Sequence, residues 1–126
     1  MVNRKSGHII NIGSIAGKET YANGNVYCAT KHAVDSLNKA MRIDLLPYGI
    51  KVTGIHPGAV ETEFSEVRFK GDTERAKKVY EGFEPLFAHD IAEAIWFAVN
   101  RPPHVNINDM LIMPTAQANT SHLIKK

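Results

Sequence analysis

Cysteine is nearly absent. Cys28 is the only one in 126 residues, which rules out an internal disulfide framework and suits a reducing compartment, the cytoplasm. Aromatic residues make up 8% of the chain, and alanine, isoleucine and valine supply much of the apolar content, as in α/β proteins. No apolar run approaches the roughly 18 residues of a membrane span, and the first residues lack the apolar segment of a secretory leader. Charge of one sign is missing too. Lysine and arginine total 15 against 13 acidic residues, a formal net charge of +2, and their mixing leaves no stripe for a nucleic acid. His8, His32, His56, His89, His104 and His122 are scattered, with no H-x-x-x-H pair and no second cysteine, so no zinc site is expected. Internal repeats and low-complexity segments are also lacking. What remains is one domain's length of chain, 44% hydrophobic and able to build a core.

The residues able to do chemistry gather between Asn11 and Lys31, in NIGSIAGKETYANGNVYCATK. Gly7–Ile12 reads as a buried strand that runs into a small-residue turn, Gly13 to Gly17. A helix is expected from Val26 to Leu46, with Asn23 or Asn25 able to cap it. Val26, Ala29, Ala33, Leu37, Met41 and Leu45 recur at three- and four-residue steps and predict its buried stripe. Pro47 and Gly49 end it. On such a helix Tyr27 and Lys31 share a face, one turn apart. An ammonium beside a phenol favours the phenolate, which makes the pair a candidate general acid/base. An exposed tyrosine and lysine on one helix face would show the same spacing. Cys28, next to Tyr27, reads as a small buried residue.

A second strand, Ile50 to Ile55, leads into His56-Pro57-Gly58-Ala59-Val60-Glu61-Thr62. Strand, helix and strand form a βαβ unit, hence parallel strands with a right-handed crossover. Ligands of such sheets bind at the carboxyl ends of the strands, where Ser14 and Pro57-Gly58 both fall. Residues 63–84 are charged and mixed, with a short helix expected from Asp72 or Thr73 to Glu81. A helix follows from Ala88 to Asn100, facing inward with Ile91, Ile95, Ala98 and Val99 and stopped by Pro102-Pro103. The last strand is Asp109 to Met113, and residues 114–126 are polar and expected outside the core.

Strand, serine and spacing agree on one family. The pattern G-x-I-x-N-I-x-S-x-A-G over Gly7 to Gly17, thirteen positions from Ser14 to Tyr27, and Y-x-x-x-K together resemble the short-chain dehydrogenase/reductase family. The resemblance implies an α/β fold, the second half of a doubly wound, Rossmann-like parallel sheet. It also implies roles: Ser14 positions the substrate carbonyl, Tyr27 donates the proton, and Lys31, with Tyr27, contacts the nicotinamide ribose. P-G-x-V-x-T, Pro57 to Thr62, is similar to the segment that holds the nicotinamide. By that likeness Pro57 and Gly58 shape the loop, Val60 backbone groups meet the carboxamide and Thr62 supplies a hydroxyl. Residues 63–84 correspond to a mobile flap over the substrate, and the family implies a homo-oligomer, dimer or tetramer.

Two further stretches, Phe64 to Asp72 and His104 to Asn108 followed by Met113-Pro114, resemble the branch of NADP-dependent 3-hydroxy acid dehydrogenases that act on serine- and malonic-semialdehyde-type substrates. NADP is inherited from that branch and leaves NAD open. Arg68, in the flap, has the fork geometry to take a substrate carboxylate, or is a solvated arginine. One family feature is lacking: no G-x-x-x-G-x-G turn occurs, so no pyrophosphate cradle. The chain is therefore expected to be the C-terminal part of one dehydrogenase domain, with the dinucleotide-binding half absent. Two functional classes follow. One is an oxidoreductase working on a small hydroxy acid or carbonyl compound; the other is an inactive remnant or interaction module that keeps the motif without the cofactor site.

Overall fold

The chain folds as a three-stranded parallel sheet with helices packed on it. The computed structural model describes residues 1–68 and 70–126, apart from the side chains of Glu66, Arg68, Arg75 and Ala76. Strand β1 (Gly7–Ile12) and strand β2 (Ile50–Pro57) run parallel, in register from Gly7 opposite Ile50 to Ile12 opposite Ile55. Strand β5 (Asp109–Ile112) joins the far side of β2, so the order is β1-β2-β5. As the central strand, β2 has nearly every residue buried, including Val52, Thr53, Ile55 and His56. Parallel neighbours need a crossover, and helix α1 (Asn25–Asp44) provides it between β1 and β2.

Helix α1 departs from expectation in two ways. Its N-cap is Gly24, while Asn23 adopts a left-handed turn (φ 62°). Asn25 sits in the first turn, where its Oδ1 accepts the Val26 N–H at 2.7 Å. The buried face is also not the apolar stripe. Val26, Ala29, Ala33 and Leu37 are exposed and Met41 and Leu45 half-buried, whereas Cys28, Asp35 and Asn38 are buried against the sheet. The polar pair can be buried because partners meet them there: Lys18 and Lys39 for Asp35, Asn11 for Asn38. The helix closes at Leu45, and a 3-10 turn through Pro47 leads to Gly49 in the left-handed region (φ 64°).

Beyond β2 the chain makes a second, two-stranded parallel sheet from β3 (Val60–Glu61) and β4 (Leu86–Phe87). Between them lie α2 (Phe64–Arg68) and α3 (Thr73–Tyr80). Helix α4 (Ala88–Val99) follows, started by Asp90, whose Oδ2 accepts the Phe87 N–H at 2.7 Å. Of its expected inward face, Ala98 is buried, Ile91 and Ile95 half-buried, and Val99 exposed. Residues 114–126 do more than trail away. Gln117 and Leu123 form an antiparallel bridge, Ile124 N–H returns to Ala116 O, and Pro114 is buried.

Candidate active site

Ser14 leaves β1 in extended backbone (φ −168°, ψ 159°), and its Oγ accepts the Ala16 N–H at 3.1 Å. That bond opens a single buried 3-10 turn, Ile15–Gly17. A Cβ on Gly17 would stand 2.6 Å from the Lys31 carbonyl oxygen. Only glycine lets the serine loop close on the turn of α1 that carries Lys31. On that helix the Lys31 Nζ lies 5.8 Å from the centre of the Tyr27 ring and donates to the Ile12 carbonyl at 3.4 Å. Lys31 thus ties α1 to the carboxyl end of β1.

The loop after β2 is fixed from several sides. Gly58 N–H donates to Ile112 O at 2.7 Å, and Ala59 N–H to Gln117 Oε1 at 2.9 Å. The Gln117 side chain lies so near Gly58 that a Cβ there would meet its Oε1 at 2.5 Å. Thr62 Oγ1 accepts the Phe64 N–H at 3.3 Å, starting α2 and leaving its own hydroxyl proton to donate. The Phe64 ring leans on Tyr27, centroids 5.6 Å apart. Ser14, Tyr27, Lys31, Pro57, Gly58, Val60 and Thr62 all line one crevice of about 440 Å³. The Arg68 side chain lies outside the described residues.

Several wall residues carried no signal in the sequence. Tyr80, from α3, donates its hydroxyl to the Val60 carbonyl at 2.8 Å and lies 2.7 Å from Ser65 Oγ. Gln117, Thr120 and Leu123 of the C-terminal segment form another side of the crevice. Thr120 reaches Glu19 Oε2 through both N–H and Oγ1, each at 3.1 Å. These residues belong to stretches without periodicity, and long-range hydrogen bonds, not apolar faces, bring them in.

The fold also gathers charges the sequence left apart. His56, one of the scattered histidines, has its Nε2 2.8 Å from Asp109 Oδ1 and 3.8 Å from Asp35 Oδ1. The potential ligand atoms of these three residues lie within 4.8 Å of one another. The cation among them is already a protein one: the Lys18 Nζ is 2.6 Å from Asp35 and 3.5 Å from Asp109. Lys39 adds a bond to Asp35 at 2.7 Å, and Arg42 approaches Asp109 at 3.6 Å. Burial alone would raise the Asp35 carboxyl, but hydrogen bonds and charge from Lys18 and Lys39 hold it below its usual range. The cluster clamps α1 to β2 and β5.

A family model described as short chain dehydrogenase matches residues 1–73, more than half the chain. Among curated proteins, the NADP-dependent 3-hydroxy acid dehydrogenase YdfG of Salmonella typhi is 52% identical over 119 residues, covering 94% of this chain and 48% of that protein. The NADP-dependent 3-hydroxy acid dehydrogenase of Schizosaccharomyces pombe is 45% identical over 123 residues, 98% of this chain and 48% of its own. A solved closed form of serine dehydrogenase complexed with NADP+ superposes with a TM-score of 0.93 at 46% identity, covering all of this chain and 51% of that one. Serine dehydrogenase from Escherichia coli gives 0.74 at 40% identity, over 94% and 44% of the two chains. The chain thus spans about half the length of the curated relatives it matches. With the family model over more than half of the chain and the parallel sheet in agreement with the solved structures, the chain belongs to the short chain dehydrogenase family.

Proposed function

We propose that these residues form the Ser-Tyr-Lys half of an NADP-dependent dehydrogenase that interconverts the hydroxyl and carbonyl forms of a small 3-hydroxy acid. The observation that carries this reading is the convergence of Ser14, Tyr27, Lys31 and the Pro57–Thr62 loop on one crevice at the carboxyl ends of β1 and β2. The names of the relatives supply the cofactor and the substrate class. The donor set suits a nicotinamide riboside. Leu86 N–H takes Ala59 O, so the backbone groups of Val60, one residue on, face away from β4 and pair with a carboxamide. Lys31, the single charged side chain described in the wall, suits ribose hydroxyls.

When bound, the nicotinamide supplies or takes the hydride. Ser14 holds the substrate oxygen through its hydroxyl proton, which the Ala16 bond leaves unused. Tyr27 moves a proton at that same oxygen, with the Lys31 Nζ 5.8 Å from its ring centre. Arg68 takes the substrate carboxylate. The thiol of Cys28, buried in α1, suits the cytoplasm. The outward apolar row of α1 suits a second copy of the chain, giving a homo-oligomer.

A second reading is favoured for residues 1–126 by themselves, because they contain no G-x-x-x-G-x-G turn. Without a pyrophosphate cradle they make an inactive module that keeps the catalytic motif. An NADPH fluorescence titration on residues 1–126 joined behind the first half of the Salmonella relative separates the two. Saturable binding with reduction of a malonic-semialdehyde-type substrate supports the enzyme; no saturable change there supports the module.

A further inference from the structure

We propose that Tyr80 is a positioning residue: its phenol, seated on the Val60 carbonyl, locks helices α2 and α3 to the loop that receives the cofactor's carboxamide. This deepens the function proposed above and rests on it for the role of Val60.

The proton count fixes the direction of the contact. Val60 O is a backbone carbonyl and accepts only, so the single Tyr80 hydroxyl proton, 2.8 Å away, goes to it. Ser65 Oγ, 2.7 Å from the same phenol oxygen, must then be the donor. The result is a one-way relay from Ser65 through Tyr80 to Val60, joining α2, the end of α3 and β3. Ser65 is 5% exposed, so loss of its acceptor strands a buried hydroxyl. The Val60 carbonyl has two lone pairs. Tyr80 occupies one and leaves the other for an amide N–H of a ligand in the crevice that Val60 lines. A phenol bound there also fixes the plane of the Val60 peptide, so the carbonyl is aimed before any ligand arrives. Conversely, a ligand that orders Val60 strengthens the hold on α3.

The relay can be broken at either end. Tyr80→Phe keeps the ring and removes the proton; Ser65→Ala removes the donor and leaves the phenol on Val60. Hydrogen exchange and Val60 carbonyl-carbon NMR on the 126-residue chain read the two ends separately, without cofactor. In the wild type we expect α3 amides to be protected. Tyr80→Phe should speed their exchange and that of residues 59–62 together by roughly five- to tenfold, and shift the Val60 carbonyl resonance upfield. Ser65→Ala should speed exchange in α2 and α3 while the Val60 resonance keeps most of its position. The double variant should lose less than the sum of the two. A wild type whose α3 exchanges at once, or a Val60 resonance that ignores Tyr80→Phe, overturns the lock. A further arm joins residues 1–126 behind the first half of the Salmonella relative. There Tyr80→Phe should raise the KM for NADPH more than it lowers kcat; a fall in kcat alone overturns the positioning role. Intact exchange and NMR coupling with no NADPH binding in either fusion would instead count against the dehydrogenase reading and leave the lock standing.

Discussion

Tyr27, Lys31 and Ser14 differ in how much of their setting they owe to near neighbours. Tyr27 and Lys31 meet because a helix brings every fourth residue to one face, and that was readable from spacing alone. Ser14 reaches the same crevice through Gly17, whose missing Cβ allows the turn to touch α1. In an enzyme that includes residues 1–126, Tyr27→Phe should lower turnover at least ~10²-fold with little change in stability. Steady-state kinetics beside a thermal melt checks this, and near-normal turnover would remove Tyr27 from the proton transfer. Gly17→Ala should destabilise the fold by about 1–3 kcal/mol, because the obstructing atom is backbone and has little freedom to give way. Chemical denaturation reads it.

Acid sensitivity also belongs to individual residues. Asp35 is held below its usual range, so its contribution is fully present above the ordinary aspartate value near ~4 and fades as pH falls through the depressed one. Asp35→Asn should cost about 1–2 kcal/mol at neutral pH, a figure kept small because Lys18 and Lys39 are 28% and 58% exposed. His8 acts in a higher window. Burial first, then the Lys51 charge, lowers its imidazole below the usual 6.5. Thr53 gives its hydroxyl proton to Ile107 O at 2.6 Å, so His8 Nε2, 2.7 Å away, is the donor in a neutral ring. The unfolded chain takes up the proton first, and stability declines as pH falls below about 6.5. His8→Gln should flatten that limb in denaturation measured from pH 7 to 5; an unaltered slope would show that another group sets it.

Among the elements, β1 was legible in extent because a glycine and a small-residue turn bracket one apolar run, but not in burial: the expected buried strand is half-buried, with Ile12 47% exposed. Helix α1 was legible in extent and misread in orientation. Its apolar period is real, but the face against the sheet is Cys28, Asp35 and Asn38, each polar group meeting a partner supplied from elsewhere. Periodicity shows that a helix has two faces; which one is buried depends on distant residues such as Lys18 and Asn11. The same limit hid the C-terminal wall, where Gln117 and Thr120 act through hydrogen bonds to residues 58 and 101 positions away. Leu37→Glu on the outward row should therefore leave the melting temperature of dilute monomer nearly unchanged and weaken association of concentrated chain. Sedimentation that ignores the substitution would take this row out of the contact between copies.

Across the whole molecule, large apolar side chains stand uncovered. Val26, Ile43, Trp96 and Ile124 are each 67% or more exposed. Small domains bury little of their chain surface, and marginal stability follows. The isolated chain is expected to self-associate or melt with low cooperativity, and to reduce no carbonyl compound with NADPH. Sedimentation velocity with a melting curve tests it: a monodisperse, sharply melting monomer that binds NADPH at micromolar concentration would contradict the expectation.

Among the described residues, β1 pairs with β2 alone. Its other side is an edge on which the Ile12 carbonyl is met by Lys31 and further N–H and C=O groups can take a strand. That rim makes the chain complementable in trans. A separately expressed piece ending in a compatible strand could dock on Gly7–Ile12 and rebuild a continuous sheet from two polypeptides. Homotypic pairing at the same rim would compete, so the yield of such a two-chain sheet should fall as this chain is made more concentrated before mixing.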